Sequence, residues 1–218
     1  MDSTMLQTLV LVGIAIFLVL RLRNVLGTRE GFEKPVTREA PNNARRQNQF
    51  EVIEGGPDRD ITDHVAEDSD AAKALAAMKR IEPGFGVADF IGGARSAYEW
   101  ILMGFERGDL AELKPFLGSD VYESFAEVIE SRNAQGLSVE AEFIGVREVQ
   151  LLDAEISVNN LAEITVRFVG EMTSVVRDNA GDIIEGKKDE IKRQKDVWTF
   201  ARQMGSDNPN WQLVATGE

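Results

Sequence analysis

The chain has no cysteine and a single histidine, His64, among its 218 residues. Thiol nucleophiles, cysteine zinc sites and histidine metal clusters are therefore excluded, while the lack of cysteine leaves the redox compartment open. Positive charge is the minority sign, with 24 Lys and Arg against 37 Asp and Glu and a net charge of −13. An acidic folded part repels phosphate backbones and anionic headgroups, which argues against nucleic acid as a partner. Also missing are the short motifs GxxxxGKS, GxGxxG, HExxH and GxSxG, which cradle phosphates or build hydrolytic sites.

A long hydrophobic run occurs once, from Met5 to Leu20, and its only polar members are Gln7 and Thr8. At ~1.5 Å per residue it spans roughly 24 Å, a little short of a ~30 Å hydrocarbon core. Leu6, Leu9, Ile14, Ile16, Phe17 and Leu20 supply the lipid-facing surface of such an anchor, and Arg21 and Arg23 follow it as topology charges. A cleavable signal carries its positive residues first, whereas here MDSTM leads with Asp2. The charge order predicts a retained anchor over residues 1–27, with everything after it in the cytoplasm.

Residues 28–68 hold three of the six prolines, few large apolar residues and nine acidic groups from residue 31 onward. No period of 2 or 3.6 is sustained, so composition predicts a disordered acidic linker. His64 falls inside it without nearby partners for metal or catalytic work. QFEVIE, from Gln49 to Glu54, is its one strand-like patch.

Order is expected over 69–218. Ser69 or Asp70 can cap a short amphipathic helix carrying Ala74, Leu75, Met78 and Ile81, which suits a membrane surface, a partner or its own domain. A longer helix places Phe90, Ala94, Ala97, Tyr98, Ile101, Leu102 and Phe105 on one face, with Asp89 as cap and Gly108 as terminator. Gly92 and Gly93 inside that helix cost about 1 kcal/mol each, an expense expected to be offset by close approach of another backbone. Asp109 with Glu112 reads as a capping box, and Ser119 or Asp120 as the cap of a helix buried through Val121, Phe125, Val128 and Ile129.

After Gly136 the period changes to 2. Leu137, Val139, Ala141 and Phe143 alternate with polar residues, as do Ala162, Ile164, Val166 and Phe168; Trp198 and Phe200 lead to a last inward row of Trp211, Leu213 and Ala215. Helices followed by strands predict an α+β domain with N-terminal helices packed on a curved antiparallel sheet.

No catalytic constellation emerges. Glu123, Glu127 and Glu130 lie along one helix face without the facing ligands a metal needs, and a polar dyad would have to come from Tyr98, Arg167 or scattered carboxylates. No metal or cofactor is expected. The large inward side chains either fill a core or line an apolar cavity, and the candidate lining is Tyr98, Ile101, Phe105, Val166, Phe168, Trp198, Phe200 and Trp211.

The words FLVLRLRNVLG, IEPGFGVADFIGGARSAYEWILMGFERGDLAELKPFL, SDVYESFAEVIESRNAQG and DVWTFARQMGSDNPNWQLVAT resemble the bacterial branch of the Tim-forty-four-like family. That resemblance implies a nuclear-transport-factor-two-like cone over 69–218 and a non-enzymatic adaptor at the bacterial inner membrane. It also implies protein partners, and a pocket for a lipid acyl chain or an apolar segment. The intrinsic anchor and acidic linker depart from mitochondrial members, so only anchoring and binding carry over; a lipid or apolar-ligand carrier is the second expectation.

Overall fold

A computed structural model describes residues 57–217. Expectations for the anchor (Leu6, Leu9, Ile14, Ile16, Phe17, Leu20, Arg21 and Arg23), for QFEVIE and for most of the linker lie outside the described residues. Among the described residues no helix is long and apolar enough to cross a membrane.

The helices come first: α1 (Arg59–Thr62), α2 (Asp70–Ile81), α3 (Val87–Arg107), α4 (Leu110–Leu113), a 3-10 turn (Lys114–Phe116) and α5 (Ser119–Ala134). They are followed by strands β1 (Ser138–Ile156), β2 (Leu161–Arg177), β3 (Ile183–Gly186), β4 (Lys192–Gln203) and β5 (Gln212–Gly217). The sheet is antiparallel in the order β1-β2-β4-β5, with β3 beside the end of β2. The α+β architecture matches the expectation.

Three bulges bend β1, where Ile144, Arg147 and Leu152 are each left without a partner on β2. Each extra residue shifts the alternation by one, so the inward row runs Val139, Ala141, Phe143, Val146, Val149, Leu151 and Ala154 rather than in strict period 2. It also explains why Ile144 and Leu152 are exposed aliphatics. A bulge between Thr199 and Phe200 in the β4–β5 pairing does the same near the C-terminus: Leu213 is fully buried, whereas Ala215, expected inward, is exposed.

Helices α2 and α3 pack against the sheet. Ser69 caps α2, its hydroxyl accepting from Ala72 N at 3.0 Å, and Leu75 and Met78 are wholly buried. The apolar face of this amphipathic helix is thus spent on its own domain. Tyr98 of α3 stacks on Phe168 at 4.5 Å between ring centroids, touches Trp198 at 4.8 Å and donates its hydroxyl to Asp196 at 2.5 Å. Burial, with the Asp196 carboxylate beside it, pushes the phenol above its ordinary range. Gly170 makes this possible, since a Cβ there would lie 2.7 Å from the Tyr98 hydroxyl.

Several local expectations are corrected. Composition assigns residues 58–68 to the linker, yet they form α1 and the turns after it, with Ile61 buried in the core and Val65 packed against it. Asp89 does not cap α3, whose N-cap is Gly86. Asp109 pairs with Arg107 at 2.9 Å rather than capping α4, and α5 starts from Gly118 without a side-chain cap. Val128 faces solvent. No backbone approaches Gly92 or Gly93: a Cβ at either would meet nothing within 4 Å.

Glycine in a helix interior with free space around it is a pure entropic cost. Gly92→Ala and Gly93→Ala should each raise unfolding stability by about 0.5–1 kcal/mol. Gly170→Ala, which must displace a stacked and hydrogen-bonded tyrosine, should lower it by about 1–3 kcal/mol; urea denaturation of the three variants checks both signs.

Candidate functional site

The space between α3 and the sheet is full. Tyr98, Val166 and Phe168 have no exposed surface, and Trp198 is 3% exposed. Phe105 packs against Phe125 of α5, ring centroids 4.5 Å apart. Of the candidate lining residues, only Ile101, Phe200 and Trp211 meet at an opening, a groove of about 650 Å³ on the side of the domain.

One wall of the groove is α3, through Phe90, Gly93, Ala97 and Trp100. The other is the β4–β5 hairpin, through Phe200, Arg202 and the Pro209–Trp211 segment. The α2–α3 turn, from Glu82 to Gly86, closes one end and Phe116 the other. The 3-10 turn is pinned there because Gly118 N donates to Leu213 O at 2.8 Å and Gln212 donates to Pro115 O at 3.2 Å. Trp100 then meets Phe116 edge-on at 4.8 Å, and Phe90 meets Trp211 edge-on at 4.7 Å. Gly93, with nothing over it, keeps the mouth wide.

The polar end is a half-buried ion pair. Arg202 shares the inward row of Trp198 and Phe200, and its guanidinium lies over the Trp211 ring at 5.3 Å and pairs with Glu82. Burial alone would raise the Glu82 carboxyl; the Gly205 amide and Arg202 together outweigh it and hold the carboxyl below its ordinary value. The pair ties the α2–α3 turn to the β4–β5 hairpin, and so one end of the groove to one of its walls.

The first turn of α3 is held from a distance. The two oxygens of Asp60 accept from Val87 N at 2.8 Å and Ala88 N at 2.9 Å, and Lys79 pairs with Asp60 at 2.7 Å. Burial favours the neutral acid, but the Lys79 bond and the Ala88 and Val87 amides prevail and hold the carboxyl at about 2.

Phe85, Phe90, Trp100, Phe116, Glu82 and Arg202 complete the groove without belonging to the sequence-derived lining. The available signal was Arg202, a charge in phase with inward aromatic residues, which demands a buried partner. Among the described residues no group of three or more histidines or carboxylates could hold a metal.

Comparison with known proteins gives one family, described as Tim44-like domain, whose model matches residues 71–218. A human protein (Homo sapiens), "Mitochondrial import inner membrane translocase subunit TIM44", is 24% identical over 149 residues, 67% of this chain and 33% of that protein. The chain thus spans about a third of the length of this curated relative. Among solved structures, the intermembrane space region of the chloroplast protein ARC6 superposes with a TM-score of 0.34 at 9% identity, over 50% of this chain and 75% of that one.

Because the Asp60 carboxyl is depressed from its usual 3.8 to about 2, its contribution to stability is complete above the unfolded value and disappears as pH falls through the folded one. The stability advantage of the wild type over Asp60→Asn should be constant above about pH 5 and shrink between about pH 4 and 2. Denaturant titrations of both chains across that window measure it.

Proposed function

The chain belongs to the Tim44-like domain family, and from that premise we propose that it is a non-enzymatic adaptor whose folded domain binds an apolar segment of a partner protein beside a membrane. The observation that carries this reading is the side groove, an aromatic floor outside a fully packed interior with a single ion pair at one end. Clefts of roughly 300–1,000 Å³ with few polar groups are the usual form of a site for a small apolar group. The name of the human relative, a subunit of an inner-membrane import translocase, supports a role in protein translocation or membrane-protein handling.

The remaining parts follow from the sequence. The run Met5–Leu20 anchors the chain once in the bacterial inner membrane, Arg21 and Arg23 hold the domain on the cytoplasmic side, and the acidic linker gives it reach. An active periplasmic phosphatase fused to the C-terminus would overturn that orientation.

A second reading, a carrier for lipid or another apolar ligand, is favoured by the same groove because apolar lining exceeds polar lining there. Native mass spectrometry of a chain starting at residue 57, which keeps Asp60, separates the two: co-purified lipid supports the carrier.

The adaptor reading is tested by photo-crosslinking in intact cells from benzoylphenylalanine placed at Phe85, Trp100 or Trp211, with Thr165 and Thr199 on the opposite sheet face as controls. Protein adducts should form from the groove positions and fall at least fivefold when Ala97→Leu narrows the groove. Adducts from Thr165 and Thr199 alone would place the binding surface elsewhere and sink the proposal.

A further inference from the structure

The long helix that walls the groove starts without a cap of its own. Its N-cap is Gly86, and a Cβ there would lie 2.9 Å from the Asp89 carboxylate, so a Ser, Thr, Asn or Asp cap at this position would crowd Asp89. The missing acceptor comes from Asp60, 27 and 28 residues upstream of the amides it takes. Gly86 and Asp89, on either side of those amides, both line the groove.

The element that delivers Asp60 is slight. Helix α1 has four residues, too few to be stable alone. Asp58 caps it by accepting from Asp60 N at 3.1 Å, Lys79 pairs with Asp58 and Asp60 at 2.7 Å each, and Ile61 is buried. Few contacts of this kind make a segment that opens locally long before the domain unfolds. It lies ahead of residue 71, where the family match begins.

We propose that Asp60 is a positioning residue for the groove, and that residues 58–65 form a strap through which events on the N-terminal side of the domain set the order of the groove wall. Drawing the strap off α2 removes both acceptors from the first turn of α3 and frees Gly86–Phe90 to fray. The coupling is reciprocal: whatever orders the wall by occupying the groove also holds the strap down. The functional meaning of the strap rests on the groove being the binding site; its existence does not.

Hydrogen exchange of the full chain in membrane nanodiscs, read by mass spectrometry, tests it. In Asp60→Ala, amides of residues 90–94, which bond within α3 and not to Asp60, should exchange about tenfold faster, the size expected for loss of a helix cap. Residues 164–168 in the centre of β2 should be unchanged, and Asp60→Asn, which keeps one acceptor oxygen, should lie between. Unchanged exchange at 90–94 in both variants, or an equal rise at 90–94 and 164–168, would overturn the strap. Adding the apolar dye N-phenyl-1-naphthylamine completes the linkage: its binding should slow exchange at 58–65 and weaken about tenfold in Asp60→Ala. Exchange changes without dye binding uphold the strap and count against the groove reading alone, whereas dye that binds both chains equally overturns the coupling.

Discussion

The insertion of Tyr98 into the sheet is the contact on which the rest of the domain depends. Its ring stacks on Phe168 and meets Trp198, its hydroxyl bonds to Asp196, and Gly170 supplies the hollow that admits it. A buried phenol with a satisfied hydroxyl combines a large apolar area with one directional bond, so it fixes both the depth and the rotation of α3. With the ring in place the inside of the curved sheet is closed. The groove lies beside this packed interior, between the Phe90–Ile101 stretch of α3 and the β4–β5 hairpin.

The groove is in turn framed by charges that cost energy to bury and therefore need partners. Arg202 lies among aromatic residues because Glu82 and the Trp211 face receive it. Asp60 remains ionised because Lys79 and two helix amides receive it. Each of these pairs joins segments distant in sequence, one tying the α2–α3 turn to the last hairpin and the other tying α1 to α3. Aromatic walls held by two such clamps suit the proposed contact with an apolar segment.

The residues that sequence periodicity resolved were those whose neighbours repeat a simple rule. The α3 stripe from Phe90 to Leu102, the Ser69 cap, the Gly108 stop and the inward row Ala162 to Phe168 all follow from local spacing and lie where it puts them. Strict alternation stopped at Phe143 because the β1 bulges insert residues that no period predicts, and Ala215 turned outward for the same reason. Residues 58–68 read as linker because one buried isoleucine, a partly buried Val65 and the long-range contacts of two aspartates hold them, none of which has a local signature. The aromatic residues were legible as inward-facing, but the distinction between a filled interior and a side groove was not. It depends on where Gly170 and Gly93 sit relative to distant side chains, and only the former has a neighbour to admit.

The three tryptophans divide along that line, Trp198 in the packed interior and Trp100 and Trp211 on the groove. Fluorine NMR of the chain labelled with 5-fluorotryptophan, titrated with an apolar dye and then with membrane extract, reads all three at once. If the groove is the binding surface, the Trp100 and Trp211 resonances shift and that of Trp198 stays still. A shift of Trp198 with the other two unmoved would mean that ligands enter the interior, and would contradict the account.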